Sequence, residues 1–143
     1  MQRIFHRHSH NRGAASAVEL AIVLPILLLL GFGGFDLGRA AAVNVALSNA
    51  ARVGADWAAT HRVDSNSLAN WQNNLRTEAE LEMESVPGFD ADRLTVEVVR
   101  TPIGDGTDCV SVTAQYPYSS LLPWPGLRTV YPLRERVVVR RFR

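Results

Sequence analysis

Residues 14–35 read AASAVELAIVLPILLLLGFGGF, and Glu19 is the only charged residue among them. At about 1.5 Å of rise per residue, a helix of this length spans roughly 33 Å, which matches a hydrocarbon core of about 30 Å. The stretch therefore predicts a transmembrane helix over residues 14–36. A charged side chain at the bilayer centre costs about 2.5–3.5 kcal/mol or more, so Glu19 needs a partner or a function.

The charges around this stretch predict its orientation. The preceding segment, residues 1–13, holds three arginines and no acidic residue, whereas Asp36 and Arg39 offset each other after it. An excess of basic residues on one side of a span marks the cytoplasmic side. We therefore expect residues 1–13 to be a basic cytoplasmic leader and residues 37–143 to be a domain across the membrane.

Length and composition limit what the rest of the chain can be. The chain has 143 residues and a net charge of +1, which leaves room for one small core beyond the span and does not indicate nucleic-acid binding. Cys109 is the only cysteine, so no disulfide can form within the chain. Its thiol either pairs between chains or packs as a small, partly buried hydrophobic side chain on a strand.

Three interpretations of the apolar stretch are open. A cleaved secretory signal usually has an apolar run of about 7–15 residues and a small-residue cleavage site, and no such site follows Phe35 directly. A plain single-pass anchor accounts for everything except Glu19 and the small residues before it. The third interpretation is a pilin-like N-terminus, in which a short basic leader ending in Gly is removed and an apolar helix with an early Glu follows.

The residues favour the third interpretation. The string from Arg12 to Pro25, RGAASAVELAIVLP, resembles the opening of the TadE-like pseudopilins of tight-adherence (Flp-type) pilus systems. The resemblance continues through Gly38-Arg39 and through residues 47–55, LSNAARVGA, which are similar to a small-residue segment of that family. Together these motifs cover about residues 12–60.

The resemblance implies that a prepilin peptidase removes the leader. Cleavage between Gly13 and Ala14 makes Glu19 the sixth mature residue, whereas the family has its Glu at the fifth. Cleavage between Ala14 and Ala15 restores the fifth position but replaces the expected Gly at the scissile bond. The resemblance further implies that Glu19 faces the new terminal amine of a neighbouring subunit. Two alternatives need no such partner: the Glu19 side chain extends to the cytoplasmic headgroups, or its carboxyl group is protonated.

The resemblance also implies location and partners. It implies a bacterial inner-membrane protein with a cytoplasmic N-terminus and a periplasmic C-terminal domain. The expected partners are membrane lipid, a prepilin peptidase, other pilin or pseudopilin subunits and the pilus assembly platform, and nucleic acid is not expected. The uncleaved alternative is an anchored accessory protein of a secretion or pilus system, and a less favoured one is a secreted domain released by signal peptidase.

Two helices are predicted beyond the span. Pro25 lacks an N–H and clashes with the carbonyl of Ala21, so a kink is expected there. The spacing of small and apolar residues over 40–58 predicts that the helix continues beyond the membrane span. A second helix is predicted to start after the turn residues 64–67 and to stop at Pro87-Gly88. Its apolar positions are Leu68, Trp71, Leu75, Ala79, Met83 and Val86, and its acidic face is expected to be solvated.

Three strands complete the predicted α+β domain. Residues 94–98 and 110–116 alternate with a period of two, and Pro102–Gly106 between them indicates a hairpin loop. Residues 133–142 predict a third strand, so we expect a three-stranded antiparallel sheet. Residues 117–132 are expected to form an irregular loop, in which the apolar run Leu121–Pro125 packs over the sheet edge or contacts a neighbouring subunit.

No pattern indicates an enzyme. The sequence has no phosphate-binding loop, zinc-ligand spacing or G-x-S-x-G motif, and His61 is the only histidine after residue 10. His6, His8 and His10 could bind a metal weakly, but they lie in the segment expected to be discarded. We expect no catalytic, cofactor or metal site.

Overall fold

The fold is α+β, with a long N-terminal helix, a second helix and one antiparallel sheet. The computed structural model describes residues 10–61, 67–104, 107–122 and 126–142. The elements are α1 His10–Thr60, α2 Leu68–Met83, a 3₁₀ turn Ala91–Arg93, β1 Thr95–Gly104, β2 Thr107–Ser119 and β3 Val130–Phe142. The three strands are antiparallel in the order β1-β2-β3, which confirms the predicted fold class.

The chain divides into two compact units, Met1–Leu37 and Gly38–Arg143, and α1 contributes to both. In the first unit α1 continues through Pro25, where the expected kink stays a prediction. Among the described residues, one helix (Gly13–Thr60) is long and apolar enough to cross a membrane. Its most apolar 18-residue window has a mean hydropathy of 2.3, and none of that window is buried.

The second unit has its core between the helices and one face of the sheet. Every second residue of β2, from Val110 to Tyr118, is buried and points toward the helices. The α1 side chains that contact these β2 residues are alanines, except for Val43 and Leu47. The buried hydrophobic residues of α1 are Val43, Ala46, Leu47, Ala50, Ala51, Ala55 and Ala58.

Helix α2 covers the remaining part of this sheet face. Its buried residues, Trp71, Leu75, Ala79 and Met83, recur every four positions. Leu68 belongs to the helix and is 45% exposed. One detail of the prediction is wrong: the helix ends at Met83 rather than at Pro87-Gly88, so Val86 lies beyond it. The chain turns there because the N–H of Val86 bonds to the carbonyl of Met83 at 3.0 Å, which tightens the last turn.

The strands extend into segments that were predicted to be loops. Pro102 and Gly104 belong to β1, with a register shift between them, and residues 105–106 lie outside the described residues. β2 continues to Ser119 and β3 begins at Val130, so the irregular loop is shorter than expected.

Two prolines lie opposite each other in this extension. Pro117 of β2 pairs with Pro132 of β3. Residues opposite each other in antiparallel strands alternate between pairs that exchange two hydrogen bonds and pairs that exchange none. Because neither proline has an N–H, this pair is of the second kind, and both nitrogens face away from the shared ladder. β1 reaches only as far as the Thr95–Gln115 pair, so Pro117 faces no further strand there and no ladder bond is lost.

Candidate functional site

Glu19 lies on α1, six residues after Gly13, and its side chain is exposed. Six residues correspond to about 9 Å along a helix. Side chains on a helix lean toward its N-terminus, so Glu19 lies over the positions three and four residues earlier. Those positions are Ser16 and Ala15, which are both exposed and small. Small side chains let another helix approach closely, so the surface beside the carboxylate is open to a partner.

The residues around Glu19 are apolar and exposed. Val18 is 61% exposed, Leu20 59% and Ile22 65%. A core helix of a soluble domain buries such side chains in its own chain, and this segment buries none of its apolar window. This exposed apolar surface fits a membrane anchor.

A shallow apolar groove of about 410 Å³ lies further along the same helix. Gly31 lines the groove, and a Cβ built there would meet no atom within 4 Å. Its walls are Leu27, Leu28, Phe32 and Phe35. The leucine and phenylalanine residues that line the groove recur at helical spacing in the sequence, which is the signal that could have indicated it.

The expected processing residues lie at the start of the described part of the chain. Gly13, Ala14 and Ala15 belong to α1 and are exposed. The role of these residues in processing stays a prediction. His6 and His8 of the leader lie outside the described residues.

The small-residue segment over 47–55 has a different environment. Ala50, Ala51 and Ala55 are fully buried against the sheet. Gly54 is buried too, and a Cβ built on it would lie 3.4 Å from Cδ2 of Leu75 and 3.4 Å from Cγ1 of Val112. These side chains set how closely α1 approaches α2 and β2, so this motif serves packing.

The remaining candidate residues do not form a reactive cluster. His61 is exposed and stacks on Trp57 with ring centroids 4.2 Å apart. Cys109 is a free, half-buried thiol on β2, between Thr101 and Arg140 of the neighbouring strands. Across the described ranges, no group of His, Cys, Asp and Glu side chains could hold a metal ion.

The acidic face of α2 is partly solvated. Glu82 and Glu84 are exposed, whereas Glu78 and Glu80 are half-buried. Arg76 bonds to Glu80 at 2.6 Å and donates a second hydrogen bond to the carbonyl of Ala91 at 3.2 Å. An i,i+4 pair of this exposure contributes little to stability, and this face presents no binding geometry.

The fold and site together define a class: a chain with an N-terminal helix that fits a membrane anchor, followed by a small α+β unit. Residues 14–56 match the family model described as TadE-like protein, which confirms the resemblance seen in the sequence. That family is implicated in tight-adherence pilus systems. No curated protein and no solved structure matches the chain.

The match covers two structurally different segments. Its first part, up to Leu37, is the exposed apolar helix that carries Glu19, and its second part is the buried small-residue face of the α+β unit. The strands and α2 lie outside the matched residues.

Proposed function

We propose that this chain is a minor pseudopilin of a tight-adherence pilus, anchored in the bacterial inner membrane with its N-terminus in the cytoplasm and its α+β unit in the periplasm. The observation that carries the proposal is Glu19, exposed on an apolar helix that matches the TadE-like family and buries none of its apolar window in its own chain. Such a helix is suited to packing against other membrane helices.

In this proposal a prepilin peptidase cleaves after Gly13 and exposes the α-amine of Ala14. The amine of one subunit pairs with Glu19 of a neighbour, and the small side chains of Ala15 and Ser16 allow the two helices to meet closely. Removing one partner of a buried pair costs about 3–5 kcal/mol, so the pair would favour one register over others.

The proposed role is structural and needs no catalysis. The chain would act through helix-mediated contacts with other pilin or pseudopilin subunits and with the assembly platform, without cofactor or metal. Loss of Arg3, Arg7 and Arg12 with the leader would remove the charges that hold the N-terminus at the cytoplasmic face. The mature helix could then move out of the bilayer into an assembly.

The test compares Glu19→Gln and Glu19→Ala with Leu20→Gln as the matched control. Leu20 is the next residue and is 59% exposed, so its replacement adds the same polar amide to the span away from the Glu19 face. Both Glu19 variants should insert into the membrane but lose co-purification with pilus subunits, and Leu20→Gln should retain it. Equal recovery of pilus subunits with all variants would contradict the proposal.

A further inference from the structure

The face of the sheet away from the helices is exposed on both outer strands; we call it the open face. Val99 of β1 and Val138 of β3 both lie opposite Ser111 of β2, and residues opposite each other in paired strands point to the same side. Val99 is 57% exposed and Val138 56%. The described part of the chain therefore leaves two apolar side chains of this face in contact with solvent.

Positive charge surrounds this apolar area on β3. The exposed arginines of the open face are Arg134, Arg136 and Arg140. Arg136 and Arg140 lie two positions before and after Val138, so all three side chains point to one side of the strand. Nε of Arg136 donates to the hydroxyl of Ser111 at 2.7 Å, which holds this guanidinium over the sheet. Glu97, the acidic residue on the described part of this face, lies on the opposite edge strand, β1.

The outer surface of α2 has the complementary pattern. Leu81 is 54% exposed and points away from the sheet, because the helix packs on the sheet through its other side. Glu78 lies three positions before Leu81 and Glu84 three positions after it, which places both beside it on the helix surface. Glu82, the next residue, is exposed as well. These glutamates form no pocket for a small ligand, but they surround an exposed leucine with negative charge.

The open face and this α2 surface cannot meet within one copy. Helix α2 lies against the other face of the sheet, and Leu81 is on the outer side of that helix, so the two surfaces are on opposite sides of the α+β unit. A second copy can bring its Leu81 onto Val99 and Val138. Its glutamates then face the arginines of β3. Opposite charges around an apolar centre favour one partner in one orientation.

We propose that the open face of the sheet binds the α2 surface of a second copy of this chain. The contact joins two different surfaces, so it is head-to-tail and leaves one surface of each kind unoccupied at the ends of a row. Copies can therefore be added one after another through their α+β units. This contact is additional to the helix contacts of the proposed function, and it depends on neither leader removal nor Glu19.

The test measures self-association of the full chain in detergent by sedimentation velocity, with charge reversals on either surface. The sheet variant is Arg134→Glu with Arg140→Glu, which leaves the arginine that bonds to β2 in place. The helix variant is Glu82→Arg with Glu84→Arg, at two exposed positions. Each variant presents like charges where the wild-type contact pairs opposite ones.

Two further variants serve as controls. Arg52→Glu with Arg128→Glu makes the same change of net charge as the sheet variant, at exposed positions outside both surfaces. The double reversal combines the substitutions of the sheet and helix variants, so its two surfaces are again complementary. Circular dichroism checks that each variant folds.

The sheet variant and the helix variant should each associate about tenfold more weakly than the wild-type chain, and the control should associate like the wild type. The double reversal should recover association, which a misfolded variant would not do. Higher ionic strength should weaken the wild-type contact, because salt screens exposed charges.

Three outcomes would overturn the proposal. Equal association of all variants, or a monomeric wild-type chain, would show that these surfaces do not bind each other, and the helix contacts of the proposed function would stand. Loss of association in the sheet variant alone would mean that the arginines bind a different acidic surface. A double reversal that stays as weak as the single-surface variants would show that the two surfaces are not partners.

Discussion

Gly54 of α1 lies so close to Val112 of β2 that a Cβ on Gly54 would be 3.4 Å from Cγ1 of Val112. The same Cβ would be 3.4 Å from Cδ2 of Leu75 on α2. Gly54 therefore lies where α1 packs against both α2 and β2. This contact explains why a segment that matches the TadE-like family model consists of small residues in a part of the chain that is buried in the α+β unit.

The first prediction concerns the size limit at Gly54. Alanine should be tolerated within about 1 kcal/mol, because its higher helix propensity, worth about 1 kcal/mol, offsets two contacts at the edge of the van der Waals range. Gly54→Leu should destabilise the fold by about 1–3 kcal/mol through overpacking. Chemical unfolding of the detergent-solubilised chain measures both.

Gly38→Leu is the control for this pair, since Gly38 is on the same helix and a Cβ there meets nothing within 4 Å. It should leave the free energy of unfolding unchanged or slightly higher. Equal loss of stability in Gly54→Leu and Gly38→Leu would show that Gly54 is not at a close contact.

The second prediction concerns the core beneath α2. Leu75 is 1% exposed and Leu81, on the same helix, is 54% exposed. Leu75→Ala should cost about 2–5 kcal/mol through lost burial and the cavity that remains. Leu81→Ala should change the free energy of unfolding by less than about 0.5 kcal/mol, as expected for a surface position. Similar effects of the two substitutions in denaturant titrations would mean that α2 presents a different face to the sheet.

The third prediction concerns a hydrogen bond on the face of the sheet away from the helices. Nε of Arg136 donates to the hydroxyl of Ser111 at 2.7 Å, and Ser111 is only 7% exposed. Ser111→Ala should lower the free energy of unfolding by about 0.5–1.5 kcal/mol, the usual net value of such a bond. Ser119→Ala, at an exposed position of the same strand, should have little effect. An unchanged unfolding midpoint for Ser111→Ala would show that water replaces the bond fully.

The fourth prediction concerns processing. Intact-mass measurement of the chain from cells with an active prepilin peptidase should show loss of residues 1–13 and a new terminus at Ala14. Gly13→Leu should block this loss, and Gly31→Leu, the same substitution further along the same helix, should not. A terminus at Ala15 would move the scissile bond by one residue. A retained leader would favour the uncleaved accessory protein, and a terminus beyond Phe35 would favour secretion.

The sequence predicted the elements well because their periodicity reflects burial on one face. The four-residue recurrence of Trp71, Leu75, Ala79 and Met83 is the buried face of α2. The alternation over 110–116 is the two-sided pattern of β2. In both elements, the apolar residues that recur along the sequence are the residues that the core buries. The spacing in the sequence was therefore sufficient to predict the helix and the strand.

The strand ends were not predictable in the same way. Pro117 and Pro132 indicate a loop when the chain is considered locally, because proline cannot donate to a ladder. Their tolerance depends on two facts that only the register provides: the prolines face each other, and β1 ends before Pro117. Of the apolar run Leu121–Pro125, Leu121 and Leu122 are exposed, and residues 123–125 lie outside the described residues.

For the candidate site, the sequence provided the residue and the structure its surroundings. Glu19 stands out as a charge in an apolar run, whereas its exposure and the absence of burial along that run required coordinates. In the proposed function the partner of Glu19 is the terminal amine of another subunit, so it is not part of the structure of one chain.

The Pro117–Pro132 pair also bears on how copies of this protein can associate. β3 is an edge strand, and at Pro132 the side that faces away from β2 has no donor to offer an incoming strand. Further along β3, the exposed side chains include Arg134, Arg136 and Arg140. Repulsion between these arginines disfavours the pairing of one β3 edge with the β3 edge of another copy. Growth of a continuous sheet from molecule to molecule is thereby discouraged.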